Sequence, residues 1–168
     1  LGSQLTVTGD VSITGAAVHL GLSEGLVVGG NLTLTSNTVL TTVESNTTAK
    51  SLHAVRLDIA GAVTIDGTSS IDVSGKGYLA DDWSGPDYAG KTRHGCHGGK
   101  NRDLVEDCTY GRFERARYAG SAGDYYNTAS PSHGGGIVEL YAQSLQLDGV
   151  IRADGLSGGD HTSASRSG

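Results

Sequence analysis

The 168-residue sequence contains no methionine, two prolines, two cysteines and few aromatic residues, namely one Trp, seven Tyr and one Phe. With so little proline and no Gly-X-Y triplet repeat, a collagen-like chain is excluded, although glycine reaches 27 residues. No apolar run approaches the roughly 18 residues of a membrane-spanning helix, so no membrane insertion of this segment is expected. The formal net charge of −6 provides no basic face for nucleic acid.

The sequence also lacks a signal-peptide pattern, begins at Leu1 and ends in a Ser/Gly-rich stretch after His161. Its length favours one domain. We expect the chain to be part of a longer polypeptide, in which an export signal or an anchor would lie outside this stretch.

What the sequence does contain is an internal repeat. Residues 5–15 (LTVTGDVSITG) and 26–36 (LVVGGNLTLTS) match apolar residue to apolar residue, with an offset of 21 positions. A third copy, residues 57–67 (LDIAGAVTIDG), begins 31 positions after the second. A repeat of about 21 residues is typical of a solenoid, in which each repeat forms one coil and insertions between coils are tolerated.

Apolar residues alternate with Thr, Ser, Asp or Gly inside each copy, which is the pattern of strands with one buried face. The glycine in the middle of each copy allows the chain to bend between a pair of short strands. Stacked coils would place Leu5 over Leu26 over Leu57 in one apolar ladder. The sequence therefore predicts an all-β fold, a parallel β-solenoid.

A fourth copy lies far downstream. Residues 63–67 and 71–75 (VTIDG and IDVSG) reappear as residues 145–149 and 151–155 (LQLDG and IRADG), at offsets of 82 and 80. One coil of about 20 residues plus an excursion of about 60 explains this separation. We therefore divide the chain into solenoid coils over residues 1–75, an excursion over residues 76–136, and a returning coil with the start of a second Gly/Ser-rich loop over residues 137–168.

The excursion contains eight of the nine aromatic residues and both cysteines. A structureless loop of this length would be unusual, so we expect a packed subdomain. Its aromatic side chains form either a small core or a platform that stacks on sugar rings. The candidate binding residues are Trp83, Tyr88, Tyr110, Tyr118 and Tyr125.

Cys96 and Cys108 would form a disulfide in an oxidising compartment, and would remain free thiols in the cytosol. Asn31 and Asn46 each begin an Asn-X-Thr sequence that fits an N-glycosylation acceptor. Because glycosylation fits an extracellular setting, the disulfide is favoured. We expect a location outside the cell or at the cell surface.

The acidic residues of the excursion are candidates for chemistry. Asp81, Asp82 and Asp87 offer oxygen ligands of the kind that calcium prefers, although no EF-hand spacing is present. Asp81 and Asp82 with His94 also have the residue types of a polysaccharide hydrolase, in which paired carboxylates protonate the leaving group and activate water. In polygalacturonase-like enzymes these residues come from successive coils, with a Gly-His-Gly and an Arg-X-Lys that are missing here. We therefore assign no catalytic residue and no cofactor, with calcium as the alternative.

Three segments together resemble a known module: residues 65–67 (IDG), 71–78 (IDVSGKGY) and 133–155 (HGGGIVELYAQSLQLDGVIRADG). It occurs in very large, repetitive, glycine-rich β-helix proteins of cell surfaces and matrices, and the resemblance covers about residues 55–159. It implies a right-handed parallel β-helix in an adhesive or structural fibre, without catalytic residues.

Two functions follow as hypotheses. The first is a structural or adhesive segment of an extracellular β-solenoid protein, continued at its open ends by adjoining segments of a longer chain or by further copies of itself. The second is a polysaccharide-binding module, or a polysaccharide-degrading β-helix enzyme, that uses the excursion to bind surface glycans.

Overall fold

The computed structural model describes residues 4–21, 25–43, 53–78, 118–120 and 133–156, which form strands and turns and contain no helix. The chain divides into two units. The first consists of residues 1–43, 53–73 and 138–152, and the second of residues 44–52, 74–137 and 153–168. Most of the described strand residues belong to the first unit.

Twelve strands follow one another along the described residues. Taken three at a time, each set is called a coil below. The strands are β1 (Gln4–Val7), β2 (Val11–Thr14) and β3 (Ala17–Leu20) in coil 1; β4 (Gly25–Val28), β5 (Leu32–Thr35) and β6 (Val39–Thr42) in coil 2; β7 (Ala54–Ile59), β8 (Ala62–Ile65) and β9 (Ser70–Asp72) in coil 3; and β10 (Ile137–Tyr141), β11 (Ser144–Leu147) and β12 (Val150–Arg152) in coil 4.

Each strand pairs with the strand three places later in the chain. This gives three parallel four-stranded sheets with the orders β1-β4-β7-β10, β2-β5-β8-β11 and β3-β6-β9-β12. Each coil therefore contributes one strand to each sheet before the chain reaches the next coil. This strand order is that of a parallel β-solenoid, and the all-β prediction is confirmed for the described residues.

The register of the sheets places the repeats of the sequence directly beside one another. Leu5 pairs with Leu26 and Leu26 with Leu57, as the predicted ladder requires. In the second sheet, Val63 pairs with Leu145, although the two residues are separated by the whole excursion. Residues that are far apart in the sequence thus lie on adjacent coils.

Inward-facing side chains of coils 2 and 3 form the core. The fully buried apolar residues of these two coils are Val28, Leu32, Leu34, Leu40, Val55, Leu57, Val63, Ile65 and Ile71. Several apolar side chains of coils 1 and 4 are only partly buried and pack against this core, namely Val7, Val11, Ile13, Val18, Val138, Leu140 and Ile151. The difference follows from the stacking, because among the described strands only those of the middle coils have a neighbouring coil on both sides.

Each coil has three strands, whereas the sequence repeat indicates pairs of strands. The spacing explains the difference: Ile13 and Leu34 pair 21 positions apart, but Ala17 and Val39 pair 22 positions apart. The additional residue lies in a turn where Ser36 and Asn37 have φ values of 60° and 62°. A fixed period therefore does not align β3 with β6.

Paired residues on adjacent strands of the second sheet form a column. The stacking predicts that a Leu→Ala substitution lowers the free energy of unfolding by different amounts at different coils of one column. Leu32 is fully buried in coil 2, while Leu145, two coils further along the same column, is 45% exposed. We expect Leu32→Ala to lower the free energy of unfolding by about 2–5 kcal/mol, because it leaves a cavity in a packed core. Leu145→Ala should cost about 1 kcal/mol or less. Urea unfolding at low protein concentration measures both, and equal losses would contradict the described core.

Candidate functional site: the ends of the coil stack

Coil 1 and coil 4 form the two ends of the stack in the first unit. Strands β1, β2 and β3 lie at one edge of the three described sheets, and β10, β11 and β12 at the other. Among the described residues, these outer strands pair along one side only. A strand edge of this kind presents backbone N–H and C=O groups to which a further strand can bond.

Apolar side chains are exposed at both ends. On coil 4, Leu145 and Leu147 are 45% and 44% exposed, while Val63 and Ile65, with which they pair, are fully buried. On coil 1, Leu5 is 49% exposed, while its partner Leu26 is 4% exposed. Positions that form the core in the middle of the stack are thus half exposed at its ends.

The outer strands have few of the features that protect exposed edges. None of the six contains proline, and those of coil 1 contain no Asp, Glu, Lys or Arg. Coil 4 has Glu139 and Arg152, and the Glu139 carboxylate forms an ion pair with Arg56 at 2.9 Å. Soluble proteins commonly block sheet edges with charge or proline. The ends of this stack can therefore accept additional strands.

Asn31, a predicted glycosylation site, connects coils at a corner of the stack. Its backbone N–H donates to Oδ1 of Asp10 at 2.7 Å, and its side-chain Nδ2 donates to the same oxygen at 3.2 Å. Its own Oδ1 accepts the backbone N–H of Ala62 at 2.9 Å. Asn31 is exposed, and its amide has two hydrogens, so a glycan on Nδ2 leaves one to donate to Asp10. Glycosylation of Asn31 stays a prediction.

Asp66 fixes a second corner of the stack. One carboxylate oxygen accepts the backbone N–H of Ser36 at 2.8 Å, and the other accepts the backbone N–H and the hydroxyl of Thr68 at 2.9 and 2.8 Å. Since hydrogen bonds to the ionised form favour it, these contacts hold the pKa of Asp66 well below its usual value, with the Ser36 bond as the largest cause and the Ser69 hydroxyl next. The carboxylate therefore joins coil 2 to coil 3.

In the second unit, the described residues include the buried side chain of Tyr78. Burial, together with the charge of nearby Tyr118, raises the pKa of Tyr78 to about 12. The backbone N–H of Tyr78 donates to the carbonyl of Gly120 at 3.0 Å. At Gly77 a Cβ atom would lie 2.5 Å from the carbonyl oxygen of Gly135, so the close approach of these backbones requires glycine.

Two of the predicted site residues lie in the described part of the chain: Asn31, in the coil-joining position above, and Tyr118, beside buried Tyr78. The others lie outside it: Trp83, Tyr88, Tyr110 and Tyr125 of the binding set, Cys96 and Cys108, the second sequon Asn46, and the calcium candidates Asp81, Asp82 and Asp87. Sequence reasoning singled out neither Asp10 nor Asp66 as a corner residue. The signal for Asp10 is its repeat position, which is that of Asn31.

Within the described ranges, no group of three or more His, Cys, Asp or Glu side chains is placed to hold a metal ion. The same ranges contain no helix of the length and hydrophobicity needed to cross a membrane. The chain matches no protein-family model, no curated protein and no solved structure. The described features that bear on function are therefore the coils and their exposed ends.

The Asn31 corner predicts a charge-dependent loss of stability. Asn31→Asp keeps an oxygen for the Ala62 N–H but replaces the donor to Asp10 by a second carboxylate. We expect the free energy of unfolding to fall by about 1–3 kcal/mol at pH 7.

Gln146→Glu is the matched control, because the Gln146 amide donates to Asp148 at 2.8 Å within a single coil at an exposed position. It introduces the same pair of charges without breaking a bond between coils, so its effect should stay within about 0.5 kcal/mol. Chemical unfolding at pH 7 measures both variants. A wild-type stability for Asn31→Asp, or equal losses in the two variants, would exclude the proposed role of this corner.

Asp66 predicts how stability depends on acid. Its carboxyl stays ionised in the folded protein below the ordinary value of 3.8, while the unfolded chain takes up the proton first. Its contribution is therefore complete above about pH 4 and is lost as the pH falls below that value. Asp66→Asn should reduce the slope of unfolding free energy against pH between about 2 and 4, relative to wild type.

The comparison is with Asp148→Asn, which removes a carboxylate that follows Leu147 as Asp66 follows Ile65, and leaves the bonds to Ser36 and Thr68 in place. Thermal unfolding followed by circular dichroism over this pH range gives both slopes. An unchanged slope in Asp66→Asn would show that these hydrogen bonds do not couple folding to ionisation.

Proposed function

We propose that the chain is a structural or adhesive segment of an extracellular β-solenoid protein, in which further coils continue the stack beyond coil 1 and coil 4. The observation that carries this proposal is the half exposure of Leu5, Leu145 and Leu147, which occupy core positions of the repeat. A solenoid whose stack ends requires terminal repeats with a polar outer face. The outer coils here have apolar inward positions and weakly charged edges instead.

A structural role is consistent with hydrogen bonds that connect successive coils of the stack. Polar groups at two corners of the first unit form hydrogen bonds between coils, as in the bonds of Asn31 to Asp10 and of Asp66 to Ser36. Each of these bonds links equivalent turns of adjacent repeats, so their effect is to hold coils in register. The partners are adjoining segments of a longer chain or further copies of the chain itself.

The extracellular location is supported by the sequence. The resemblance of residues 55–159 to glycine-rich modules of surface and matrix proteins favours it, and so do the sequons at Asn31 and Asn46. In that setting Cys96 and Cys108 form a disulfide within the aromatic-rich excursion. We take the winding to be right-handed, since parallel crossover connections have that hand in nearly all proteins.

Intact cells that produce the full-length protein provide the test. We expect an impermeant amine-reactive label to modify the chain before lysis. The purified protein should show one disulfide by mass measurement with and without reductant, and elongated particles or filaments by electron microscopy. Labelling only after lysis, together with free thiols at Cys96 and Cys108, would contradict an extracellular role.

Incubation with acidic and neutral glycans separates this function from the enzymatic alternative. The structural role predicts no release of reducing ends. Release that disappears in Asp81→Asn and Asp82→Asn would identify a polysaccharide hydrolase and overturn the proposal. Glu106→Gln, which changes a different acid of the same excursion, is the control for a nonspecific effect of lost charge.

A further inference from the structure

The two ends of the stack correspond in three inward-facing columns of the second and third sheets. Three columns run through all four coils, and each contains only Val, Leu or Ile: Val11, Leu32, Val63 and Leu145; Ile13, Leu34, Ile65 and Leu147; and Val18, Leu40, Ile71 and Ile151. A shift of one molecule along the stack places coil 1 after coil 4. Each column then continues with another aliphatic side chain.

The strand edges also correspond. The free edge of coil 4 is the edge with which coils 1, 2 and 3 each pair to the next coil, and the free edge of coil 1 is the opposite one. The strands of coil 4 have five, four and three residues, and those of coil 1 have four each. A contact between these edges would therefore be close in size to the contacts inside the molecule.

A polar group of coil 4 has a partner at the corner. Ser144 occupies the position held by Asp10 in coil 1 and Asn31 in coil 2. At this position Asp10 and Asn31 each accept a backbone N–H from the following coil. Ala62, at this position in coil 3, has no side-chain acceptor. The Ser144 hydroxyl can accept the N–H of Asp10 from a coil placed after it, as Asp10 and Asn31 do inside the molecule.

From these three correspondences we propose that coil 4 of one copy of the chain docks coil 1 of a second copy, in parallel and in the internal register. The proposal rests on the proposed function and names the partner that continues the stack. Because two different surfaces meet, the contact is head to tail and leaves a free coil 1 and a free coil 4 after every addition. Heterologous contacts of this type produce open filaments.

Cross-linking between two variants tests the register. Ser12 and Gln146 are exposed and belong to one outward-facing column with Thr33 and Thr64. In the docked pair, positions 12 and 146 of different copies would be adjacent, at about the 4.8 Å that separates parallel strands, which a disulfide can span. We mix Ser12→Cys with Gln146→Cys under mild oxidation and identify the linked positions by peptide mapping, which distinguishes Cys96 and Cys108.

Thr14→Cys mixed with Gln146→Cys is the matched control, since position 14 lies two residues further along the strand, about 7 Å from position 12. We expect the yield of the bond to position 146 to be at least tenfold lower from position 14 than from position 12. Equal yields would overturn the register.

Charge substitutions test the docking surface itself. Leu145→Lys should shift the sedimenting species from oligomers to short chains and monomers, and a small fraction of it added to wild-type protein should shorten the oligomers. Its intact coil 1 can still dock, whereas its coil 4 stops further growth. Thr33→Lys, on an outward-facing position of coil 2, is the control and should leave sedimentation unchanged.

The outcomes separate the two proposals. Oligomers linked through positions 12 and 146 support head-to-tail docking. Oligomers without that bond overturn the docking register, and a chain that stays monomeric at high concentration overturns the second copy as the partner. Neither result decides the proposed function, which fails instead if the full-length protein is confined to the cell interior or releases reducing ends from glycans.

Discussion

In-register contact between inward-facing aliphatic side chains of successive parallel coils is the interaction on which the rest of this structure depends. A single coil has about a dozen strand residues and cannot bury its own apolar face. Leu32 and Val63 become fully buried because each has a coil on both sides. The hydrogen bonds at Asp10, Asn31 and Asp66 complement this packing, since they connect equivalent turns and oppose slippage of one coil against the next.

The same constraint creates the candidate functional surfaces. Each coil is stabilised by the coils beside it, so a coil with a neighbour on one side only keeps exposed apolar side chains and unpaired strand edges. In the described residues this is the case for coils 1 and 4. Leu5 and Leu145 are ordinary core residues by their place in the repeat, and they are half exposed because no described coil covers them. The stability of the stack and the proposed association therefore depend on one type of contact.

Much of this architecture could be predicted from the sequence, because stacked coils require apolar residues at equivalent positions and so produce a regular sequence repeat. The ladder of Leu5, Leu26 and Leu57, and the return of the chain at Leu145 beside Val63, follow from matching apolar residues. The third strand of coils 1 and 2 was missed because turns of different length precede it, and a turn such as that at Ser36 and Asn37 changes the spacing. The coil-joining roles of Asp10 and Asp66 were missed for another reason: an acid in a turn has the same appearance whether or not it bonds to the next coil. The predicted disulfide, the second sequon and most of the aromatic binding set lie outside the described residues.

Methyl contacts measured by nuclear magnetic resonance test the stacking most directly. In a sample with labelled Val and Leu methyl groups, the methyls of Val63 should show cross-relaxation with those of both Leu32 and Leu145, because these residues are neighbours in one column on adjacent strands. The Leu145 contact is the decisive one, since the excursion separates it from Val63 in sequence. Strong contacts to Leu32 and Leu145 together would establish the column, whereas contacts from Val63 to neither residue would contradict a parallel stack.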